Sequence, residues 1–321
     1  MRILITGGAG FIGSNLTEHL LNKKDVELVR VLDNLCTGSF ENIKQFEDNS
    51  KFEFIQGDIR NYETCIDACS GIHLISHQAA LGSVPRSIHD PLTTNDVNIT
   101  GTLNVFTAAK ETKVKRIVYA ASSSTYGDHP GLPKVEDKTG KPLSPYAVTK
   151  LVNELYARVY ADVYGMELIG LRYFNIFGPR QDPDGPYAAV IPLFIRAVLN
   201  NEPPTINGDG ETSRDFTYVA NAVQANDCAL FIKNKEALNQ VYNIACGERT
   251  TLNELFEILK EIGGSDLAAK YAPERKGDVK HSQADISKAS ALLGYRPEVS
   301  IKKGLKQAFE WYRKQHHFGY S

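Results

Sequence analysis

Cysteine is scarce and unpatterned in this chain. Its 321 residues hold five, at positions 36, 65, 69, 228 and 246, an odd number with no CxxC pair. That excludes a disulfide framework and a thiolate zinc site. Cys65 and Cys69 lie one helical turn apart, but no histidine pair stands near them. The eight histidines show no ligand spacing, so no metal is expected. The five thiols read as ordinary reduced cysteines, which points to the cytoplasm. Surplus charge is missing as well. Lys+Arg 36 against Asp+Glu 38 leaves −2, no field for drawing in nucleic acid or an anionic membrane. An anionic substrate would need local Arg or Lys. No stretch approaches the ~18 uninterrupted apolar residues of a membrane span. The apolar opening Ile3-Leu4-Ile5 stops at Thr6-Gly7, too soon for a signal peptide. Neither a fixed-period repeat, a low-complexity tract nor an interdomain linker is visible.

What is present is ordinary globular material, 42% hydrophobic and 23% charged, enough for a full core. Strand-like runs at 3–5, 28–32, 52–55, 73–76 and 116–120 alternate with helical periodicity at 11–21 and 97–109. Strand and helix in alternation predict right-handed βαβ units on a parallel sheet. A long helix is expected from Pro145 to Tyr164, then a strand at 168–171. After Gly178 the character changes. Loops are expected at 179–186 and 202–210, and helices near 190–199, 219–232, 251–262, 285–293 and 301–314. The chain therefore reads as α/β: a Rossmann-type doubly wound parallel sheet over 1–178, with a smaller mixed α/β C-terminal region over 179–321. Some of that region is expected to return to the sheet.

Gly7, Gly10 and Gly13 stand between the first strand and the first helix with GxxGxxG spacing. Such a loop allows a tight turn and close approach of backbone to a pyrophosphate, which the helix N-terminus then faces. A plain strand–helix turn uses glycine just as freely. Asp33 decides between them, because it lies 20 residues beyond Gly13 at the end of the second strand, where a carboxylate bonds adenosine ribose hydroxyls. A carboxylate there repels a 2′-phosphate, and no Arg follows in Asn34-Leu35-Cys36-Thr37-Gly38, so NAD is favoured over NADP. Asp58-Ile59, after the third strand, fits either an adenine contact or a turn acid.

Ser122-Ser123-Ser124 follows the fifth strand at the carboxyl edge of the sheet, where ligands bind. Tyr146 and Lys150, four apart, share a helix face. A lysine ammonium beside a phenol favours phenolate, a base able to take a hydroxyl proton from an alcohol being oxidised. Ser122 would bond the same oxygen. His77 reads as a strand-end structural residue, and His316-His317 as a solvated tail.

The Gly7–Gly13 loop, Asp33, His77-Gln78-Ala79-Ala80, Ser122 to Gly127 and Tyr146/Lys150 together resemble extended short-chain dehydrogenases of the sugar-nucleotide epimerase/dehydratase group. The likeness continues through Arg172 to Pro179, Arg214-Asp215-Phe216 and Arg275 to Asp278. It implies catalysis by Ser122, Tyr146 and Lys150. It implies NAD contacts from Gly7, Gly10, Phe11, Ile12, Gly13, Asp33, Asn34, Asp58, Ile59, Gln78, Ala79, Ala80, Tyr146 and Lys150. Dehydratases of the group carry Asp-Glu after the catalytic Ser/Thr, where this chain has Ser123-Ser124. Sugar-acid decarboxylases keep a Glu at the second place, which Ser124 also lacks. Without an added acid and base, the outcome expected is oxidation and re-reduction of one carbon, which is epimerisation at C4.

Three stretches, 82–87, 122–142 and 208–214, look especially similar to UDP-N-acetylglucosamine 4-epimerases. Galactose-selective relatives place a Tyr where this chain has Ser282, and a small residue leaves room for a 2-acetamido group; a simple loop serine is the other reading. The resemblance implies a UDP-hexose held by Gly82, Ser83, Ser122, Ser123, Ser124, Tyr146, Asn175, Ala189, Val190, Asn207, Arg214, Arg275, Asp278 and Ser282, the arginines on the diphosphate. UDP-glucuronate and UDP-glucose 4-epimerases are the alternatives within the group. An NAD(H)-binding regulatory protein is the alternative outside it. The apolar stripes of the helices near 97–111 and 146–164 match those that pair into a four-helix homodimer interface in the family.

Overall fold

The computed structural model describes residues 1–184, 188–274 and 280–317. The first strands are β1 (Arg2–Thr6), β2 (Leu28–Asp33), β3 (Phe52–Gln56), β4 (Leu74–His77), β5 (Arg116–Ser122) and β6 (Glu167–Tyr173). Short pieces β7 (Ile176–Phe177), β8 (Thr205–Asn207), β9 (Ser213–Arg214) and β10 (Thr217–Tyr218) follow. Then come β11 (Gln240–Ile244), β12 (Thr250–Thr251) and β13 (Lys270–Ala272). Among the described residues, the main sheet has seven strands in the order β11-β6-β5-β4-β1-β2-β3, and every pairing in it is parallel. The strand order reverses between β1 and β4, and the crevice above that point is where ligands bind in such sheets.

Among the described residues, ten α-helices surround these strands. They are α1 (Phe11–Leu21), α2 (Tyr62–Cys69), α3 (Val84–His89), α4 (Pro91–Asn95), α5 (Gly101–Glu111), α6 (Pro145–Tyr164), α7 (Val190–Asn200), α8 (Val219–Phe231), α9 (Leu252–Gly263) and α10 (Ile301–His317). One core joins α1 and α8 to one face of the sheet through Leu16, Leu20, Val223 and Leu230. Another joins α2, α5 and α6 to the opposite face through Cys65, Phe106 and Tyr160. Strands covered on both faces read as near-continuous apolar runs, as 3–5 and 117–118 do. A third core, built on Phe194, Phe256, Leu259 and Phe309, holds α7, α9 and α10 together in the C-terminal region.

Helix α6 has the bounds its sequence predicts. Ser144 accepts from Ala147 N at 3.1 Å, Pro145 occupies the first turn where its missing N–H costs nothing, and Gly165 takes the left-handed stop at φ 67°. Elsewhere the structure corrects the reading. Residues 240–244, unassigned from sequence, form an edge strand of the main sheet, so the C-terminal region does return to it. The helix expected from 285 begins only at Ser287 and continues as a π-turn over Ala289–Leu293, because Asp285 turns back to accept from Ser287 N at 2.7 Å. His316 and His317 end α10 rather than forming a tail. Among the described residues, no helix is long and apolar enough to cross a membrane.

Candidate active site

The turn after β1 brings the chain back against β4. Gly7 adopts φ +69°, and a Cβ there would stand 2.6 Å from Ala79 N. A Cβ at Gly13 would fall 2.2 Å from Gly7 O, so only glycine lets α1 sit this close to the turn. Helix α1 starts at Gly10 with no side-chain cap and no acid in its first turn, which leaves its N–H groups and positive dipole end to the cleft. Asp33 closes the loop from the other side. Its carboxylate accepts from Ala9 N at 2.9 Å and Leu35 N at 2.8 Å; burial raises its pKa, and the backbone N–H groups oppose that. Asp58 accepts from Asn34 Nδ2 at 2.8 Å and from Arg60, whose guanidinium draws its pKa down to about 2.

Ser122 ends β5, and Ser124 Oγ donates to Ser122 Oγ at 2.9 Å within the 3₁₀ turn of Ser123–Tyr126. Tyr146, in the first turn of α6, lines the same cleft; burial raises its phenol, and the pull of the Ser122 hydroxyl opposes that. In the protein alone burial outweighs that pull and holds the phenol above its ordinary value. Lys150 is buried, donates from Nζ to Ala120 O at 2.8 Å and lies 6.0 Å from the Tyr146 ring centroid. Burial lowers its pKa to about 8. His77 is fully used between Thr6 Oγ1 (2.6 Å) and Thr102 Oγ1 (2.9 Å), and burial pushes it down to about 3, so it stays neutral.

These groups meet in one cleft of about 1760 Å³. It is lined by Gly7, Gly10, Phe11, Ile12, Gly13, Asp33, Asn34, Asp58, Ile59, Gln78, Ala79, Ala80, Gly82, Ser83, Ser122, Tyr146, Lys150, Asn175 and Ala189 of the residues expected from sequence. Asn175, at φ 41°, also donates to Asp215 O at 3.0 Å. Among the described residues, Ser123, Ser124, Val190, Asn207, Arg214 and Ser282 do not line this cleft. Val190 opens α7, Asn207 ends β8, and Arg214 donates to the carbonyls of Ser213 and Lys280 at 3.0 and 3.2 Å. Ser282 N donates to Ser213 O at 3.1 Å, so Ser282 sits beside the Arg214 strand. Arg275 and Asp278 lie outside the described residues.

Sequence reasoning missed several lining residues: Tyr173, Arg86, Arg180, Arg196 and the Trp311-Tyr312 pair. Tyr173 and Arg180 had a signal, since Tyr173 lies within the Arg172–Pro179 stretch and Arg180 directly follows it; the pair on α10 had none. Asp215 was read only within its motif. It is fully buried and accepts from Cys246 N, Gly247 N and Ala284 N at 2.9, 3.0 and 3.2 Å, tying three distant segments together.

The family model described as the NAD dependent epimerase/dehydratase family matches residues 3–245. The chain belongs to that family. NAD is accordingly its cofactor, and the glycine cradle, the uncapped α1 and the buried Asp33 carboxylate suit a dinucleotide without a 2′-phosphate. A solved UDP-N-acetylglucosamine 4-epimerase from Methanobrevibacter ruminantium M1, in complex with UDP-N-acetylmuramic acid, superposes with a TM-score of 0.92 at 39% identity, covering 98% of each chain. A putative UDP-glucose 4-epimerase of Methanocaldococcus jannaschii is 40% identical over 96% of this chain and 97% of its own length. A UDP-glucuronate 4-epimerase of Thermodesulfobacterium geofontis is 36% identical over 96% and 95%.

Proposed function

We propose that this family member is a UDP-sugar 4-epimerase that interconverts UDP-GlcNAc and UDP-GalNAc. The observation that carries the reading is the cleft in which Ser122, Tyr146 and Lys150 converge; by the resemblance, Ser123 and Ser124, in the turn after β5, stand where a dehydratase carries acids. Bound NAD supplies a two-electron acceptor that is restored at the end of each cycle. The chain supplies the rest. Tyr146 takes the proton of the C4 hydroxyl and later returns one. Ser122 holds the sugar oxygen, and Lys150 keeps positive charge beneath the phenol. Ser123 and Ser124 offer no acid and base to eliminate water, so re-reduction of the C4 ketone on its opposite face, with Tyr146 returning the proton to the C4 oxygen, is the product-forming step. The relatives named for UDP-N-acetylglucosamine, UDP-glucose and UDP-glucuronate support the nucleotide-sugar class.

The acetylated substrate is supported by the resemblance, which sets the small Ser282 beside the sugar; in the protein alone Ser282 lies outside the cleft lining, on a segment bonded to the Arg214 strand. Ser282→Tyr is expected to lower kcat/KM for UDP-GlcNAc by more than the ~10–200-fold of one misfitting methylene, with UDP-Gal turnover kept, because a clash is built against one substrate only. Side-by-side kinetics check this. Equal loss on both sugars, or no change on either, removes the steric support for the acetylated substrate.

A homodimer completes the proposal. Val148, Leu155, Val159 and Val163 form an exposed apolar stripe along α6. The stripe expected on the preceding helix is not exposed over 101–111; Ile88 and Leu92 of α3 and α4 supply the neighbouring apolar surface instead. Burying such a stripe against a second copy removes apolar area from water. The expected result is a dimer mass for the wild type at micromolar concentration and a monomer mass for Leu155→Lys/Val159→Glu. A wild-type monomer by sedimentation refutes it.

A further inference from the structure

Helix α6 carries Glu154 one turn beyond Lys150, on the same face. Only 9% of its side chain is exposed, and Arg172 grips it bidentately, Nε to Oε1 at 2.9 Å and Nη2 to Oε2 at 2.7 Å. Arg172 stands on β6 in register with Ala121, next to the Ala120 carbonyl that receives Lys150. Its Nη1 donates to Glu136 O at 3.0 Å, and the guanidinium lies 4.8 Å from the ring centroid of Tyr126, in the turn that follows Ser122. Tyr126 Oη donates to Asn243 Oδ1 at 2.6 Å, and Asn243 N donates to Glu136 Oε1 at 2.9 Å, which fixes the far side of the pair on β11.

A buried ion pair is costly to desolvate, and apolar side chains of similar volume often serve stability as well or better. Here the pair sits one helical turn from a lysine that burial pushes down to about 8, and the Glu154 charge acts against that push. We propose that Glu154, locked by Arg172, is a positioning residue for Lys150: its carboxylate keeps the lysine as an ammonium seated on the Ala120 carbonyl below Tyr146. The inference rests on the reading that Lys150 serves the epimerisation.

The other groups around Lys150 do not supply this charge. His77 on β4 is neutral, and in the protein alone burial keeps the phenols of Tyr146 and Tyr126 protonated. Glu136 donates no charge to the lysine; it faces Arg172 and Asn243. Asp96, before α5, pairs with Arg60 at 3.4 Å, and Arg116 pairs with Glu167 at 2.6 Å at the opposite ends of β5 and β6. Arg86 of α3 lines the cleft and is itself a cation.

The test is the pH profile of kcat/KM for UDP-sugar epimerisation by the NAD-loaded enzyme, for wild type, Glu154→Gln and Glu154→Asp. Glu154→Gln keeps the shape and removes the charge, so its alkaline limb is expected to fall by about one pH unit. Glu154→Asp keeps the charge and should bring the limb back toward wild type. An unmoved limb in Glu154→Gln, or equal loss at every pH without recovery in Glu154→Asp, overturns the proposal. Should Glu154→Gln not fold, Glu154→Met/Arg172→Met replaces both charges with apolar bulk, and its limb must also fall; an unmoved one overturns the proposal equally. Lys150→Met separates the two readings. If it retains turnover, the catalytic reading itself fails; if it is inactive while Glu154→Gln keeps the wild-type profile, only the positioning role fails.

Discussion

Tyr146→Phe lowers turnover by ~10²–10⁴-fold, the usual worth of a general-base step, and leaves the fold and NAD retention intact. The substitution removes one oxygen. That oxygen lies near Ser122 at the end of β5 and, in the proposed mechanism, exchanges a proton with the sugar hydroxyl. The rest of the ring keeps its packing in the first turn of α6, whose cap comes from Ser144 and does not involve the phenol. In the protein alone the phenol is held above its ordinary value by burial, so the base depends on charge brought near it. Lys150, 6.0 Å from the ring, is the chain's own source. Steady-state kinetics with a melting curve and a count of released nucleotide check the prediction. Near-normal turnover in Tyr146→Phe would show that another group is the base.

Gly13→Ala is expected to cost the protein its cofactor. An added Cβ would lie 2.2 Å from Gly7 O and 2.7 Å from Gly8 Cα, both backbone atoms, so no side-chain movement can relieve it. Either α1 moves away from the turn or the turn opens. The Gly10 N to Gly7 O bond at 3.1 Å and the Ala9 N to Asp33 bond at 2.9 Å hold the loop closed, and both are lost when it opens. Overpacking of this kind costs ~1–3 kcal/mol, which corresponds to a fall in NAD affinity of about 5- to 150-fold if it is borne in the bound state. The variant should purify with little NAD and melt lower. Full NAD content with an unshifted melt contradicts the account of the loop.

Local signals made part of this structure legible in advance. The bounds of helix α6 were legible, and Ser144, Pro145 and Gly165, which fix its ends, all stand beside them in the chain. The dinucleotide loop was legible because Gly7, Gly10, Gly13 and Asp33 have fixed offsets within one βαβ unit. Strand β11 was not, since Gln240–Ile244 is short, lies between helices and gains its identity from pairing with β6, far away in the chain. The same holds for Asp215, whose three donors come from positions 246, 247 and 284, and for the Glu154–Arg172 pair, which joins a helix to a strand. Ser282 shows the converse. Its small size could be read from the sequence, but its neighbour, the Ser213 carbonyl on β9, could not.

Epimerisation at C4 with a cofactor that is not consumed is tested most directly by the products formed without added nucleotide. Purified protein is incubated with UDP-GlcNAc and no added nucleotide, the sugars formed are identified by NMR, and the protein is then denatured to assay what it held. UDP-GalNAc is expected at an equilibrium reached from either sugar, with NAD released on denaturation. Recovery of UDP-GlcNAc unchanged from protein that holds NAD, or formation of a dehydrated sugar, would contradict it.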